Sequence, residues 1–416
     1  MNHFQKQKLF ITFFLLISCF CLAQNIQEFR GKVIDEDTKK ALPLTDLQII
    51  NTNISTITNS EGEFLLKVPN TFMSNSVLVS YLGYKKQQIP LSQFKNKNTK
   101  IALTVAATVL AQVDVNAPKD AETLVKKALS LKGQNYLNNE VVMTSFYRET
   151  IKKRNKNASL SEAVLKIQKQ PYITNRSDNI KIIKARKKTD YSRLDTLALK
   201  LQGGPFSSLY TDIIKYPEFI FNAEDIDDYI FSFNQSTQIN NKLVFVVGFK
   251  QKEAITRPMY YGQLFIDAET YALTSAIYNL NVSNKEQASK LFVKRKPRKA
   301  TVYPTEASYR VNYRTKDGKW YFGYSNTLLT FKLKWDNKLF NSRYKLQSEM
   351  AITDWNLNTT TFKNKPKDRL KPNTILADQA SGFADPDFWG AYNIIEPEKS
   401  IESAIKKISK QLKKDL

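Results

Sequence analysis

The chain has 416 residues, of which 42% are hydrophobic and 12% aromatic, and its formal net charge is +24. This length exceeds that of one ordinary domain, and the apolar fraction excludes a chain that is disordered throughout. With only 12 glycines, the composition also argues against glycine-rich phosphate-binding loops. The positive charge favours contact with polyanions, but charge alone does not define a site.

The first 23 residues have the features of an export signal. Two lysines precede an almost wholly apolar stretch, 9–20, which is too short to predict a membrane-spanning helix. Small residues at the positions that a signal peptidase recognises predict cleavage between Ala23 and Gln24. The alternative is a lipoprotein signal that ends at Cys19, with lipidation of that cysteine. No later apolar run is long enough to span a bilayer, so we predict no transmembrane helix in the mature chain.

Cleavage after Ala23 would remove the single histidine, His3, and both cysteines, Cys19 and Cys21. The mature chain would then lack the groups for Ser-His-Asp or Cys-His nucleophilic sites, for His- or Cys-based zinc sites and for disulfides. We therefore predict no catalytic residue, no metal site and no cofactor. The catalytic chemistries that remain open use Asp or Glu, Lys, Tyr, Ser or a hard metal bound by carboxylates.

Residues 24–116 are predicted to form a compact β-sandwich, because short strands alternate with turn residues at close spacing. The stretch TNSEGEFLLKVP, 58–69, predicts a tight turn and then a half-buried strand. Asn59 is expected to bond the turn backbone, Gly62 to permit the turn, and Phe64 to pack inside the sandwich.

This part resembles the carboxypeptidase regulatory-like domain, a transthyretin-like β-sandwich. The similarity rests on RGKVIDEDTKKALPL, on the turn TNSEGEF and on SYLGY. The family's turn usually has Asp where this chain has Asn59. The resemblance implies that Tyr81 packs in the sandwich, that Gly83 allows a bulge or a close approach, and that Tyr84 completes the signature. It also implies a scaffold rather than a peptidase. Such domains stand in front of TonB-dependent outer-membrane receptors and related Gram-negative envelope proteins.

Residues 117–138 predict an amphipathic linker helix with Asp120 as its N-cap. Residues 139–365 contain long consecutive strands, including a hairpin with the turn Asp317-Gly318, and predict one large antiparallel sheet, curved like a half-barrel, with a helix against one side. The segments SFYRET and YYGQLFIDAETYALTSAIY resemble the middle region of the same envelope proteins. The hairpin predicted from YYGQLFIDAETYALTSAIY is similar to part of the half-barrel of periplasmic lipoprotein carriers.

Residues 366–416 are predicted to form a Pro-rich tail with an aromatic cluster, followed by a basic amphipathic helix over 400–416. The apolar stripe of this helix predicts docking on the half-barrel, and contact with an anionic membrane surface is the alternative. The predicted fold class is therefore mainly β. It comprises a transthyretin-like β-sandwich, a helix, a large antiparallel half-barrel-like sheet and a C-terminal helix.

One basic cluster is a candidate anion-binding patch. Residues 184–188 would extend it if the two segments meet, and a solvated loop is the simpler interpretation. The patch consists of Lys294, Arg295, Lys296, Arg298 and Lys299.

The acidic residues give weaker indications of a functional site than this basic cluster. The run 224–228 lacks the spacing of an EF-hand, and Asp35-Glu36-Asp37 is expected to be a solvated turn. Arg148 and Glu149 are adjacent and must face opposite sides of a strand. The triplet Asp195-Thr196-Leu197 matches an O-glycosylation pattern of three residues only.

We therefore predict an exported, non-enzymatic envelope protein that binds or scaffolds at the periplasm or outer membrane. One alternative is a periplasmic carrier of a lipid or other apolar ligand inside the half-barrel, and another is an Asp/Glu-dependent polysaccharide hydrolase. An apolar cavity would favour the carrier, two inward carboxylates about 5–10 Å apart the hydrolase, and a filled interior the scaffold. The expected partners are outer-membrane components and an anionic lipid or polysaccharide, with no role for nucleic acid.

Overall fold

The computed structural model describes residues 26–106, 120–154, 156–189, 204–222, 224–234, 237–239, 242–293, 299–336, 341–357, 362, 368–372, 374–380 and 388–398. The predicted signal, the Asp195-Thr196-Leu197 triplet and the predicted helix over 400–416 lie outside these residues. The described part of the chain is mainly β, which confirms the predicted fold class. No helix in these ranges is both long and apolar enough to cross a bilayer.

The first unit is a sandwich of two small sheets. One sheet has the strand order β4-β1-β7, with β1 parallel to β7, and the other has the order β3-β2-β5-β6. Alternating apolar residues from both sheets, such as Phe29, Phe64 and Val77, pack between them. The strands are β1 (Ile26–Asp35), β2 (Asp46–Ile49), β3 (Ser55–Ile57), β4 (Glu63–Pro69), β5 (Ser76–Ser80), β6 (Gln87–Pro90) and β7 (Thr99–Leu103), with 3-10 turns at Asn70–Phe72 and Leu91–Gln93.

Two short helices lead from the sandwich to the large sheet, α1 (Ala121–Ser130) and α2 (Lys132–Asn135). The side chain of Asp120 caps α1 as predicted, because it accepts a hydrogen bond from the backbone N–H of Thr123 at 2.7 Å. The apolar face of α1 packs into the core of the large sheet.

The second unit is an 11-stranded antiparallel sheet with the order β10-β9-β8-β18-β17-β16-β15-β14-β13-β11, and β12 pairs with β13. Hairpins of consecutive strands build most of it, as the sequence predicts. The strands are β8 (Val141–Lys153), β9 (Lys156–Lys169), β10 (Asn179–Thr189), β11 (Tyr229–Phe233), β12 (Thr237–Ile239), β13 (Lys242–Gln251), β14 (Tyr260–Asp267), β15 (Leu273–Leu280), β16 (Ala300–Lys316), β17 (Lys319–Trp335) and β18 (Ser342–Asn356).

The sheet curves around a filled interior. Ile180 on β10 and Tyr229 on β11 come from opposite ends of the strand order, yet both belong to one core, so the sheet wraps around that core. The core also contains α1 and apolar residues of 204–226. This segment includes α3 (Gly204–Leu209) and 3-10 turns at Pro217–Phe219 and Ile226–Asp228. We call the face of the sheet that packs on this core the inner face, and the opposite one the outer face.

Two further helices and one irregular segment complete the described chain. Helix α4 (Lys285–Phe292) packs on β16, and α5 (Leu376–Gln379) lies near β9 and β10. Residues 388–398, which we call the strap, have no regular secondary structure. The strap lies on the outer face, between the large sheet and the sandwich.

Candidate functional site

The turn at residues 59–64 is held by a side chain and a glycine. The Oδ1 atom of Asn59 accepts hydrogen bonds from the backbone N–H groups of Glu61 and Glu63, both at 2.9 Å. Gly62 has φ of +74°, and a Cβ there would lie 2.6 Å from the backbone oxygen of Val33. Only glycine fits that position without moving backbone. Phe64 follows, fully buried in the sandwich core.

The second half of the signature differs from the prediction at Gly83. A Cβ there would meet nothing within 4 Å, so no close approach requires this glycine. The φ of +82° at Gly83 is what requires a glycine, because residues with a side chain are strained in left-handed backbone. Tyr81 is partly buried against the sandwich core, and the rings of Tyr81 and Tyr84 meet edge to face at 5.2 Å.

The expectation that the turn Asp35-Glu36-Asp37 is solvated is wrong for Asp35, which is 4% exposed. Its carboxylate accepts hydrogen bonds from the Tyr84 hydroxyl at 2.7 Å and from the backbone and side chain of Thr38. These bonds, that of Tyr84 foremost, lower the pKa of Asp35 to about 2. Tyr84 therefore stabilises the first turn of the sandwich.

The segment from β3 to β4 also binds the strap. The Asn59 side-chain amide donates to the backbone oxygen of Glu396 at 3.2 Å, and Thr56 Oγ1 donates to that of Ile394 at 3.2 Å. Asn393 bonds both backbone groups of Lys67, accepting from its N–H at 2.8 Å and donating to its carbonyl at 3.1 Å. Strand β4 is an edge strand, so Asn393 takes the place of a neighbouring strand there.

The opposite side of the strap covers a buried charge network on the outer face. Arg148 pairs with Glu162 at 2.7 Å and with Glu349 at 3.2 Å, and it donates to the backbone oxygen of Ile395 at 2.8 Å. Arg186 binds the second oxygen of Glu162 at 2.7 Å. The charges are thus paired and satisfied, which is the condition for burying them without a large cost.

Aromatic contacts fix the strap over this network. The Trp389 ring meets the Phe146 ring edge to face at 5.4 Å, and the Arg186 guanidinium lies 4.7 Å from the centre of the Trp389 ring. Trp389 is 3% exposed and packs in one cluster with Ile57 and Leu65 of the sandwich. The strap therefore joins the two units through a shared apolar seam.

A second buried network, which the sequence analysis missed, ties the interior segment to the inner face. Lys169 Nζ lies 2.8 Å from Asp178 and 2.7 Å from Asp212, and the Tyr172 and Tyr313 hydroxyls both donate to Asp212 at 2.9 Å. Burial alone would lower the pKa of Lys169, but the two carboxylates outweigh it and the pKa is raised. The cation is therefore retained.

The alternation of side chains along β9 could have identified Lys169 from the sequence. Leu165 and Ile167 occupy alternate positions before it on β9, and both lie in the inner core. A lysine in the same alternation must point inward, where it needs a buried acidic partner. Nothing in the sequence identifies Asp212 as that partner.

The predicted anion-binding patch is only partly described. Lys294, Arg295, Lys296 and Arg298 lie outside the described residues, and Lys299 is exposed next to them. Two of the cations that would extend it contact the strap instead, since Lys184 donates to the backbone oxygen of Phe388 at 2.9 Å and Arg186 is buried under the strap. Both cations thus hold the strap. Ala23 and Gln24 also lie outside the description.

The acidic run is engaged by surface cations. Arg257 pairs with Asp225 at 2.7 Å and Asp228 at 2.5 Å, while Lys126 pairs with Asp227 at 3.1 Å. Within the ranges given above, no three His, Cys, Asp or Glu side chains converge in a way that could hold a metal ion.

Comparison with known proteins identifies the first unit. Residues 29–115 match the family model of the CarboxypepD_reg-like domain. This match confirms the predicted resemblance of the sandwich, and it ends before α1, so the large sheet lies outside it. No curated protein matches the chain.

Two solved structures are similar to part of the chain. A DUF1329 family protein from Desulfovibrio piger is 10% identical, over 57% of this chain and 92% of its own, with a TM-score of 0.22. A LolA superfamily protein, NE2245 from Nitrosomonas europaea, is 8% identical, over 60% of this chain and all of its own, with a TM-score of 0.19. TM-scores of this size support no inference about fold or function.

Proposed function

We propose that the protein is an exported, non-enzymatic scaffold and binding module of the periplasm or outer membrane in a Gram-negative envelope. The observation that carries this proposal is the filled inner face of the large sheet, where α1 and residues 204–226 form one continuous core with the strands. The CarboxypepD_reg-like match and the expected export signal support the location.

The filled interior argues against the carrier. A carrier of an apolar ligand needs an apolar cavity, usually of several hundred Å³. In the described part of the chain, protein side chains occupy that position, and Lys169 fixes them there through Asp212. Ligands that this protein binds would therefore contact its outer surfaces.

The buried carboxylates argue against the hydrolase. Asp178 and Asp212 share Lys169, and Glu162 and Glu349 share Arg148. A glycosidase pair needs one protonated acid and one free carboxylate in an open cleft. Both of these pairs are bound by buried cations and covered by protein.

Native mass spectrometry of the protein purified gently from bacterial envelopes tests the proposal. We expect the bare mass of residues 24–416 in repeated preparations. A stoichiometric lipid or acyl adduct would overturn the scaffold in favour of the carrier. Release of new reducing ends from envelope polysaccharide by the same preparation would contradict the non-enzymatic part. A chain that begins at Cys19 with a diacyl mass would replace the predicted cleavage and tether the protein to a membrane.

A further inference from the structure

A groove of about 450 Å³ opens on the outer face across β11, β13, β14 and β15. Strand alternation places its lining there, since Phe231 and Val247 point into the inner core while Ser232 and Gly248 line the groove. The sandwich touches the same face close by, where Leu82 packs against Phe265. The groove itself stays open to solvent.

The groove exposes three large apolar side chains. Ile230 is 43% exposed, Tyr261 46% and Ile277 37%, and all three line it. They come from β11, β14 and β15 on the same face of the sheet, where β13 separates β11 from β14. An accessible aromatic ring flanked by aliphatic groups is a surface on which the C–H face of a sugar ring can pack.

Amide and hydroxyl groups surround these apolar side chains. Ser232, Asn234, Gln263 and Asn279 line the groove. Asn279 accepts a hydrogen bond from Ser308 at 2.6 Å through its side-chain oxygen, and its NH₂ group remains for a ligand. Among the described residues, the side-chain amides of Asn234 and Gln263 have no hydrogen-bond partner. Amides offer donors and acceptors together, which suits the vicinal hydroxyls of a saccharide.

The charge of the groove selects for an acidic ligand. Lys250 is the charged residue of the described lining, and no Asp or Glu belongs to that lining. Arg310 stands opposite Ile277 on the next strand, which adds a second cation at the rim. An acyl chain would instead need a continuous apolar lining, and a phosphate site would need several converging donors.

We propose that this groove binds an acidic saccharide. The sugar ring packs on Tyr261, its hydroxyls bond the amides of Asn234, Gln263 and Asn279, and its carboxylate faces Lys250. This inference rests on the proposed binding function and names the ligand class of that function.

Isothermal titration of the full-length mature protein with a short galacturonate oligomer tests the proposal. We expect Tyr261→Ala to weaken binding at least about tenfold, because a central aromatic side chain usually dominates such a contact. Phe219→Ala is the matched control, since Phe219 is 45% exposed and lies outside the groove. Each variant is first checked for an unchanged melting curve.

Two further variants test the shape and the charge. Gly248→Leu fills the groove from its floor, because the atoms nearest to a Cβ there are side-chain ends of Asn234 and Ser232, at 3.1 Å and 3.2 Å. We expect it to abolish binding. Lys250→Gln should remove the preference for the acidic oligomer over a neutral galactose oligomer. Lys345→Gln, on the outer face of β18, should leave that preference intact.

Three results would overturn the proposed saccharide site. One is no binding of the galacturonate oligomer by the wild type at millimolar concentration, and another is equal binding by wild type, Tyr261→Ala and Gly248→Leu. The third is a loss of oligomer binding in Lys250→Gln alone, together with an equal loss of binding to phosphatidylglycerol vesicles. That result would assign both to a general cationic surface. A lipid adduct in native mass spectra would instead overturn the scaffold and leave a measured saccharide site standing.

Discussion

Arg148 and Glu149 are adjacent in sequence, and the sheet separates their charges. Arg148 faces outward into its network with Glu162 and Glu349. Glu149 faces inward, where the Tyr147 hydroxyl donates to it at 3.0 Å and the described residues offer it no cation. Burial raises the pKa of Glu149 to about 7.

Glu149→Gln should therefore stabilise the protein at pH 8 and change little at pH 4. The folded pKa lies above the ordinary value of 4.5, so stability is full below about pH 4.5 and falls as the pH rises to about 7. The gain at pH 8 should be of the order of 3–4 kcal/mol, since the pKa of Glu149 rises from 4.5 to about 7 and each pKa unit corresponds to about 1.4 kcal/mol. Urea unfolding at pH 4, 6 and 8 measures it.

Glu253→Gln is the control, because Glu253 is exposed on a turn. It should leave the pH dependence of the wild type intact. An equal gain from Glu149→Gln at pH 4 and pH 8 would show that the carboxyl group is neutral over the whole range, contrary to the argument above.

The sequence predicts best those residues whose structural role depends only on their neighbours in the chain. Asn59 and Gly62 act within one turn, so turn chemistry is enough to find them. The expectation of a solvated Asp35 is wrong because its main partner, Tyr84, lies 49 residues later in the chain. A side chain that is buried by a distant partner carries no local signal.

Among the elements, the interior segment 204–226 depends most on a few buried bonds. Its helix α3 has only six residues, too few to be stable alone. Asp212 fixes it through Lys169, Tyr172 and Tyr313. One carboxylate and its donors thus join this segment to the strands, in addition to its apolar contacts in the core.

Lys169→Met should cost about 3–5 kcal/mol, because it leaves Asp178 and Asp212 buried without their cation. Lys181→Met is the matched control. Lys181 pairs with Asp368 at 3.8 Å on the surface, where an ion pair is worth at most about 1 kcal/mol. Chemical denaturation of both variants at pH 7 compares them, and equal losses would contradict the role given to Lys169.

Element prediction succeeded where pattern and length agree. The hairpins of the large sheet have long strands and strong turns such as Asp317-Gly318, which lies between β16 and β17. Residues 204–226 combine a short helix with turns, and tertiary contacts decide their course. Residues 388–398 have no periodicity at all, so only the structure reveals that they form the strap.

At the scale of the whole molecule, the two units are joined by direct bonds, such as that from Arg314 to Ser55 Oγ at 2.8 Å, and by the strap. Its apolar side chains fill the seam between Leu65 of the sandwich and Phe146 of the sheet. Asn393 satisfies the edge of β4, and Arg148 binds the far side of the strap. We therefore expect the wild type to unfold in a single cooperative transition.

Trp389→Ala should lower stability by about 3–5 kcal/mol and split the transition in two, because it opens a cavity in this seam. Differential scanning calorimetry detects the split. Trp335→Ala removes a partly buried tryptophan of β17, away from the strap, and should keep a single transition. A single transition in both variants would mean that the units are coupled by other contacts.

The position of the strap in the chain also orders events in time. Asn59 and Glu396, which bond each other, are 337 residues apart. The sandwich leaves the ribosome long before the strap, so the sandwich and the sheet first have an unsealed surface between them. Closing so long a loop is slow, and during that delay the open seam is where a chaperone, a protease or a second chain would act first.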